Sequence, residues 1–191
     1  QAIYGFRGAD VDSIPNLIKR FSAKSLPLSI CYRCPKNIIR EAQKIVPHIE
    51  YNEAAEDGEI LQAKIREWEP KDGVFVLCRT TAPLVGECLR LIRKGRKAIV
   101  KGRDIGEALA TSFGNTGVDP YSNPAEMLTG LEQYRLLQLA RMADRPESVK
   151  VTLNDTVDTL VAIVEFIQEE FNENGTKLTV EGMIEKLFSD T

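Results

Sequence analysis

The spacing of the apolar side chains changes several times before residue 104 and then settles on a single helical period, and this change constrains the fold more than any composition figure. Ile14, Leu17, Ile18 and Phe21 fall at i, i+3, i+4 and i+7, with Asp12 or Ser13 placed to cap and Pro15 in the first turn, so 13–22 reads as an amphipathic helix. Leu26-Pro-Leu-Ser-Ile-Cys31 reads as a short strand, leading through Pro35 into a helix whose apolar face is Ile38, Ile39, Ala42, Ile45 and Val46. After a polar loop over 52–58, residues 59–65 read as a strand and Gly73-Val-Phe-Val-Leu-Cys78 as a strand of the continuously apolar, buried type. A helix over 82–94 follows, with Val85, Cys88, Leu89 and Ile92 on one face and Gly95 ending it, and then a strand over 97–101. Alternating strands and helices with short links predict an α/β architecture, a parallel or mixed sheet covered by helices.

Beyond residue 104 the signals are helical only. The stretch 114–123 is loop-like, and helices are expected over 124–144, 154–172 and 179–188. Asn123 with Glu126 resembles a capping box, and Val157, Leu160, Val161, Val164, Ile167 and Phe171 form a helical stripe. A boundary is therefore expected near 104–122, with an α/β part over 1–104 and a small all-α part over 105–191.

Charge is distributed unevenly. Residues 151–191 hold nine Asp or Glu and two Lys, a net −7, which leaves 1–150 at +4 within a chain of net −3. Arg90, Arg93, Lys94, Arg96, Lys97, Lys101 and Arg103 put seven bases into fourteen residues without an acid. Such a run suits a phosphate backbone, and equally a solvated helix end followed by an exposed turn. No apolar run approaches the roughly 20 residues that span a bilayer, which argues against a membrane partner. Cysteines at 31, 34, 78 and 88 are too few and too unevenly placed for a disulfide framework, so a reducing, cytoplasmic setting is expected.

Conventional catalytic signatures are absent: the chain holds no GxxxxGK[ST], HExxH or GxSxG. The single His48 reads as a surface residue, and Cys31-x-x-Cys34 lacks the further ligands that zinc requires. The acids at 155, 158, 169 and 170 read as a solvated helix face. Two segments carry other chemistry. In the first, Gln1 stands close to Tyr4, Phe6 and Arg7, joining an amide that can meet a phosphate oxygen or a water to rings that can stack on bases, although Ile3, Tyr4 and Phe6 also read as core residues of an irregular strand. In the second, Tyr32-Arg33 leaves a strand just ahead of a helix, offering a ring for a nucleobase and a guanidinium for a phosphate.

Gln1-Ala-Ile-Tyr-Gly-Phe-Arg-Gly-Ala-Asp10 resembles motif III of the UvrD/Rep/PcrA-like superfamily 1 DNA helicases, close to Q-x-I-Y-x-F/W-R-G-A. Leu28-Ser-Ile-Cys-Tyr-Arg-Cys-Pro-Lys-Asn-Ile-Ile39 resembles motif IV, L-x-x-N-Y-R-S/C-x-x-x-I, at the expected interval. Phe75-Val-Leu-Cys-Arg-Thr-Thr-Ala82 and Ala98-Ile-Val-Lys-Gly-Arg103 look like the family segments that follow, so the resemblance covers about residues 1–105. Cys31 stands where the family usually has Asn.

The resemblance implies that 1–104 is the first half of the second RecA-like domain, called 2A, a partial parallel sheet of P-loop NTPase type with flanking helices. It implies that 105–191 is a small helical insertion in the place of domain 2B. Gln1 would sense the γ-phosphate of ATP, Arg33 would act as an arginine finger, and Tyr32 would stack on adenine. Tyr4, Phe6 and Arg7 would hold single-stranded DNA. ATP with Mg2+ would be the cofactor, its metal ligands lying outside these residues, and the partners would be single strands, duplex junctions and the RecA-like domain 1A of the same polypeptide, in a bacterial or phage-encoded protein. Because the chain opens on Gln and inside a motif, it is expected to be a piece of a larger helicase, without Walker A, Walker B or motifs V and VI, and inactive alone. The alternatives are a helicase-like regulatory or nuclease-associated subunit that binds protein or DNA without ATP turnover, and a free-standing α/β nucleotide-binding domain.

Overall fold

Helices dominate the described residues, and the sheet expected from the sequence is not found among them. The structure, a computed structural model, describes Asp10 and residues 12–64, 67–175 and 177–188, with Arg103 given by its backbone alone. Among the described residues the β-structure is one two-stranded parallel sheet. This corrects the expectation of a RecA-like α/β sheet with flanking helices. The physical reason is that an apolar run records a tendency to be buried, whereas a strand exists only when a neighbour completes its ladder. Pro27 removes a ladder donor from 26–31, where only Ile30 and Cys31 pair, and Leu26 and Leu28 remain exposed. Residues 59–64, 74–78 and 96–101 lie outside any strand, and Phe75 and Leu77 are 75% and 90% exposed.

The chain divides into two compact units, 1–71 and 72–191, so the boundary expected near 104 falls inside the second unit. The first unit contains α1 (Ser13–Phe21), β1 (Ile30–Cys31), α2 (Lys36–Gln43) and β2 (Glu50–Tyr51). α1 forms where its periodicity places it, but Ile14, Leu17 and Phe21 stay exposed and none of its residues is buried. Its start is held from outside the helix: Asp10 accepts from the Asp12 amide at 2.9 Å, and the Ser13 hydroxyl donates to the Asp10 carbonyl at 2.7 Å. β1 and β2 pair in parallel, Ile30 with Glu50 and Cys31 with Tyr51, and α2 is the crossover between them. Of the expected apolar face of α2, Ile39 is buried and Ile45 is exposed.

The second unit contains α3 (Ala82–Arg93), α4 (Arg103–Gly114), α5 (Pro124–Arg141), α6 (Glu147–Asn174) and α7 (Val180–Phe188). α6 is central, touching α3, α4, α5 and α7. Its stripe of Val157, Leu160, Ile163, Val164 and Ile167 is buried against Val85, Cys88 and Leu89 of α3, Met127 and Leu131 of α5, and Val180, Met183 and Leu187 of α7, all members of one core. Each such side chain removed from water contributes about 1.5–3 kcal/mol of transfer free energy. The buried Thr159 hydroxyl donates to the Asp155 carbonyl at 2.7 Å, which offsets the cost of a polar group in the core. α5 starts as its sequence predicts, with the Asn123 side chain accepting from the Glu126 amide at 2.9 Å. α4 was not expected; it contributes Leu109 and Phe113 and lies close to α7 at Gly106, where an added Cβ would meet Phe188 Cβ at 2.9 Å. The segment expected as a strand over 97–101 instead buries Val100, whose amide donates to the Leu187 carbonyl at 2.8 Å.

Candidate nucleotide-contacting turn

Tyr32 and Arg33 occupy the turn where β1 stops and α2 is about to begin. Both are exposed, Tyr32 at 76%, and among the described residues no carboxylate pairs with the Arg33 guanidinium. The turn is braced from below by backbone. α2 follows Pro35, which fixes its own φ, at −57°, and lacks an amide donor. The first two helical amides, of Lys36 and Asn37, donate at 2.9 Å to the carbonyls of Glu56 and Asp57, and the Asn37 side-chain amide donates to the Gly58 carbonyl at 2.9 Å. The loop 52–58 thus takes the hydrogen bonds that a helix N-terminus would otherwise offer to an anion. An anion at this turn would find the Lys36 and Asn37 amides already engaged and the Arg33 guanidinium exposed.

Gly58 makes that brace possible. Its φ is +68°, and a Cβ there would stand 2.4 Å from Pro35 Cβ. Behind the turn, Arg40 donates to Asn37 Oδ1 at 2.6 Å and lies 5.2 Å from the centroid of Tyr51, so the ring of β2 and the cation of α2 are tied face to face.

The two thiols flank the pair. The backbone amides of Arg33 and Cys34 donate to the Cys31 sulfur and hold that thiol below the ordinary cysteine value, helped by a hydrogen bond with Cys34. The same bond to Cys31, and then burial, raise Cys34. Both are free thiols and half-buried.

Gln1, Tyr4, Phe6 and Arg7, the other residues expected at the nucleotide and at DNA, lie outside the described residues. His48 is exposed in a turn. Among the described residues no three His, Cys, Asp or Glu side chains gather as metal ligands, and no helix is long and apolar enough to cross a membrane.

In the second unit the basic run is largely committed within the protein. Arg90 grips Glu87 through Nε and Nη2 at 2.9 and 2.6 Å, and Arg96 meets Asp72 at 2.8 Å. Arg93 pairs with Glu169 and, at 3.9 Å, with Glu170, while its guanidinium lies 4.8 Å from the Phe166 centroid. This arrangement binds α3 to α6 and leaves no continuous phosphate track along 90–96. The acids expected only to solvate α6 have specific partners as well. Asp158 pairs with Arg135 at 2.7 Å. Asp155 accepts from the Thr81 amide at 2.9 and 2.7 Å and from the Ala82 amide at 2.9 Å, capping α3 from another helix. No local sequence signal exposes that cap, because donor and acceptor are 74 positions apart.

No protein-family model, curated protein or solved structure matches the chain.

Proposed function

We propose that the chain serves an ATP-dependent superfamily 1 DNA helicase, contributing a nucleotide-contacting turn and, through its first residues, contacts to single-stranded DNA. One observation carries this reading: Tyr32 and Arg33, the core of the motif IV resemblance, stand side by side and exposed on a strand-to-helix turn. Such a ring can cover a purine, and such a guanidinium can neutralise charge on a transferred phosphoryl group. Gln1 would supply the γ-phosphate contact, and Tyr4, Phe6 and Arg7 would hold DNA, in the same reading.

A second reading, a helicase-like subunit that binds protein or DNA without ATP turnover, is favoured by the loop carbonyls that take the first amides of α2 and by the absence of a RecA-like sheet among the described residues. The two separate on one experiment. The reading frame ahead of Gln1 is expected to encode GxxxxGK[ST] and an acidic DExx strand. In the protein that includes them, Arg33→Ala is expected to lower DNA-stimulated ATP hydrolysis by about 10²–10³-fold with little change in ATP affinity. Arg33→Lys is expected to restore little, since lysine cannot present a bidentate fork. Unchanged turnover in Arg33→Ala removes Arg33 from that role, and a frame without the phosphate-binding segments leaves the second reading.

A further inference from the structure

Val74-Phe-Val-Leu-Cys78 runs ahead of α3 as an apolar segment that the rest of its unit does not cover. Phe75 and Leu77 are 75% and 90% exposed, Val74 and Cys78 are exposed as well, and only Val76 is half-buried. No backbone hydrogen bond joins 74–78 to another described residue. The segment thus offers water both its apolar side chains and its peptide groups, the condition that strand pairing relieves. Its composition suits a strand, since valine and phenylalanine favour the pleated backbone and neither proline nor glycine interrupts it. It is also tied down at both ends. Before it, Arg96 donates to Asp72 Oδ1 at 2.8 Å, and after it the Thr81 and Ala82 amides donate to the Asp155 carboxylate. A segment held at its ends has less freedom to lose on pairing.

We infer that 74–78 is a docking strand for a second copy of this chain, paired antiparallel with its own counterpart about a two-fold axis at Val76. Reversal of the segment about Val76 sets Val76 against Val76, Phe75 against Leu77 and Val74 against Cys78, so every cross-strand pair is apolar. Phe75 and Leu77 share one face of the pleat and gather with their two-fold mates into a cluster of four apolar side chains. Charge selects the direction. Antiparallel pairing brings each Arg79 opposite Gly73 of the other copy and next to its Asp72, whereas parallel pairing in register would set Arg79 against Arg79. The same patch serves on both copies, so the contact closes at two chains. Two such short strands bury less than the roughly 1,200 Å² at the low end of stable interfaces, so the dimer depends on concentration. The inference does not rest on the helicase reading, since it needs neither nucleotide nor DNA.

The test is sedimentation velocity of the unaltered chain between about 5 and 500 µM, with hydrogen exchange measured at both ends of that range. The mass is expected to rise from one chain to two, and alternate amides within 74–78 to exchange about 10-fold more slowly at the higher concentration. Leu77 is exposed enough that Leu77→Lys leaves the helices intact, as circular dichroism would confirm. This variant is expected to weaken the dimer by about 10-fold or more, because the lysine would face Phe75 of the other copy. A single chain at every concentration, a dimer in which 74–78 exchanges as it does in the monomer, a dimer that Leu77→Lys leaves unchanged, or assemblies that grow beyond two chains would each overturn the inference. The first two measurements use the unaltered protein, so the answer does not rest on a variant that fails to fold.

Discussion

Gly58 is a single residue on which the whole Tyr32-Arg33 turn leans. Its backbone conformation, at φ +68°, is one that side chains seldom adopt, and the space its Cβ would fill belongs to Pro35. Gly58→Ala is therefore opposed twice, by backbone strain and by overlap with a ring that has no rotamer to escape into. The expected cost is about 1–3 kcal/mol, read as a lower urea midpoint of the unit that contains β1, α2 and β2. A second readout is faster hydrogen exchange at the Lys36 and Asn37 amides, which lose their carbonyl partners if the loop shifts. A midpoint unchanged within error would mean that the loop can open at Gly58 without disturbing α2.

At the scale of the element, α3 shows how a helix can take its cap from elsewhere. Thr81, in the capping position, makes no side-chain bond of its own, and the Asp155 carboxylate accepts from two successive amides at the helix start. Asp155→Ala is expected to cost about 1.5–3 kcal/mol in equilibrium unfolding of unit 72–191, the range for hydrogen bonds to a charged group. Asp155→Asn, which keeps an acceptor and loses the charge, is expected to cost roughly half as much. Equal losses for the two variants would show that charge and not hydrogen bonding dominates. The far end of α3 is held differently, by Arg93 between the α6 carboxylates and the Phe166 ring, so the helix is fixed to α6 at both ends. The same pairing commits one base of the 90–103 run to a contact within the protein.

For the whole molecule, the buried Cys88 makes core stability depend on pH. Burial first, and then the neighbouring Glu87 carboxylate, push this thiol up to about 11 from an ordinary value of 9.0. The unfolded chain therefore gives up the proton at lower pH than the folded one. The contribution of the neutral thiol is fully present below pH 9 and is lost as pH rises through 11, on the order of 2 kcal/mol. Thermal or urea unfolding of the unaltered chain between pH 8 and 11 is expected to show this loss, and Cys88→Ala to show less of it from a lower starting stability. Parallel pH profiles for the two proteins would exclude Cys88 as the cause.

The same scale shows what the sequence could and could not reveal. Helices α1, α3, α5 and α7 lie within a few residues of the positions their apolar spacing predicts, because a helix satisfies its backbone locally. α6 begins seven residues before the expected start at 154, since its first two turns carry no buried residues to mark it. α4 carries a weaker signal, with glycines at its cap and in its first turn, although Ile105, Leu109 and Phe113 recur every four positions. The strand expected over 73–78 does not form, because Val74, Phe75 and Leu77 state a preference for burial and say nothing about which segment would lie beside them. The Tyr32-Arg33 turn was legible from order and spacing along the chain. The Gly58 brace and the Asp155 cap were not, since each depends on where atoms far apart in the chain lie in space.

The Asp155 cap also sets a delay in the folding of the chain as it is synthesised. The amides it serves leave the ribosome 74 residues before the carboxylate does. At about 5–20 residues per second, the start of α3 waits roughly 4–15 s for its acceptor. During that interval the exposed apolar run ahead of it, Val74 to Leu77, is attached to an unfinished helix, so the nascent chain is most open to chaperone capture after α3 emerges and before α6 does.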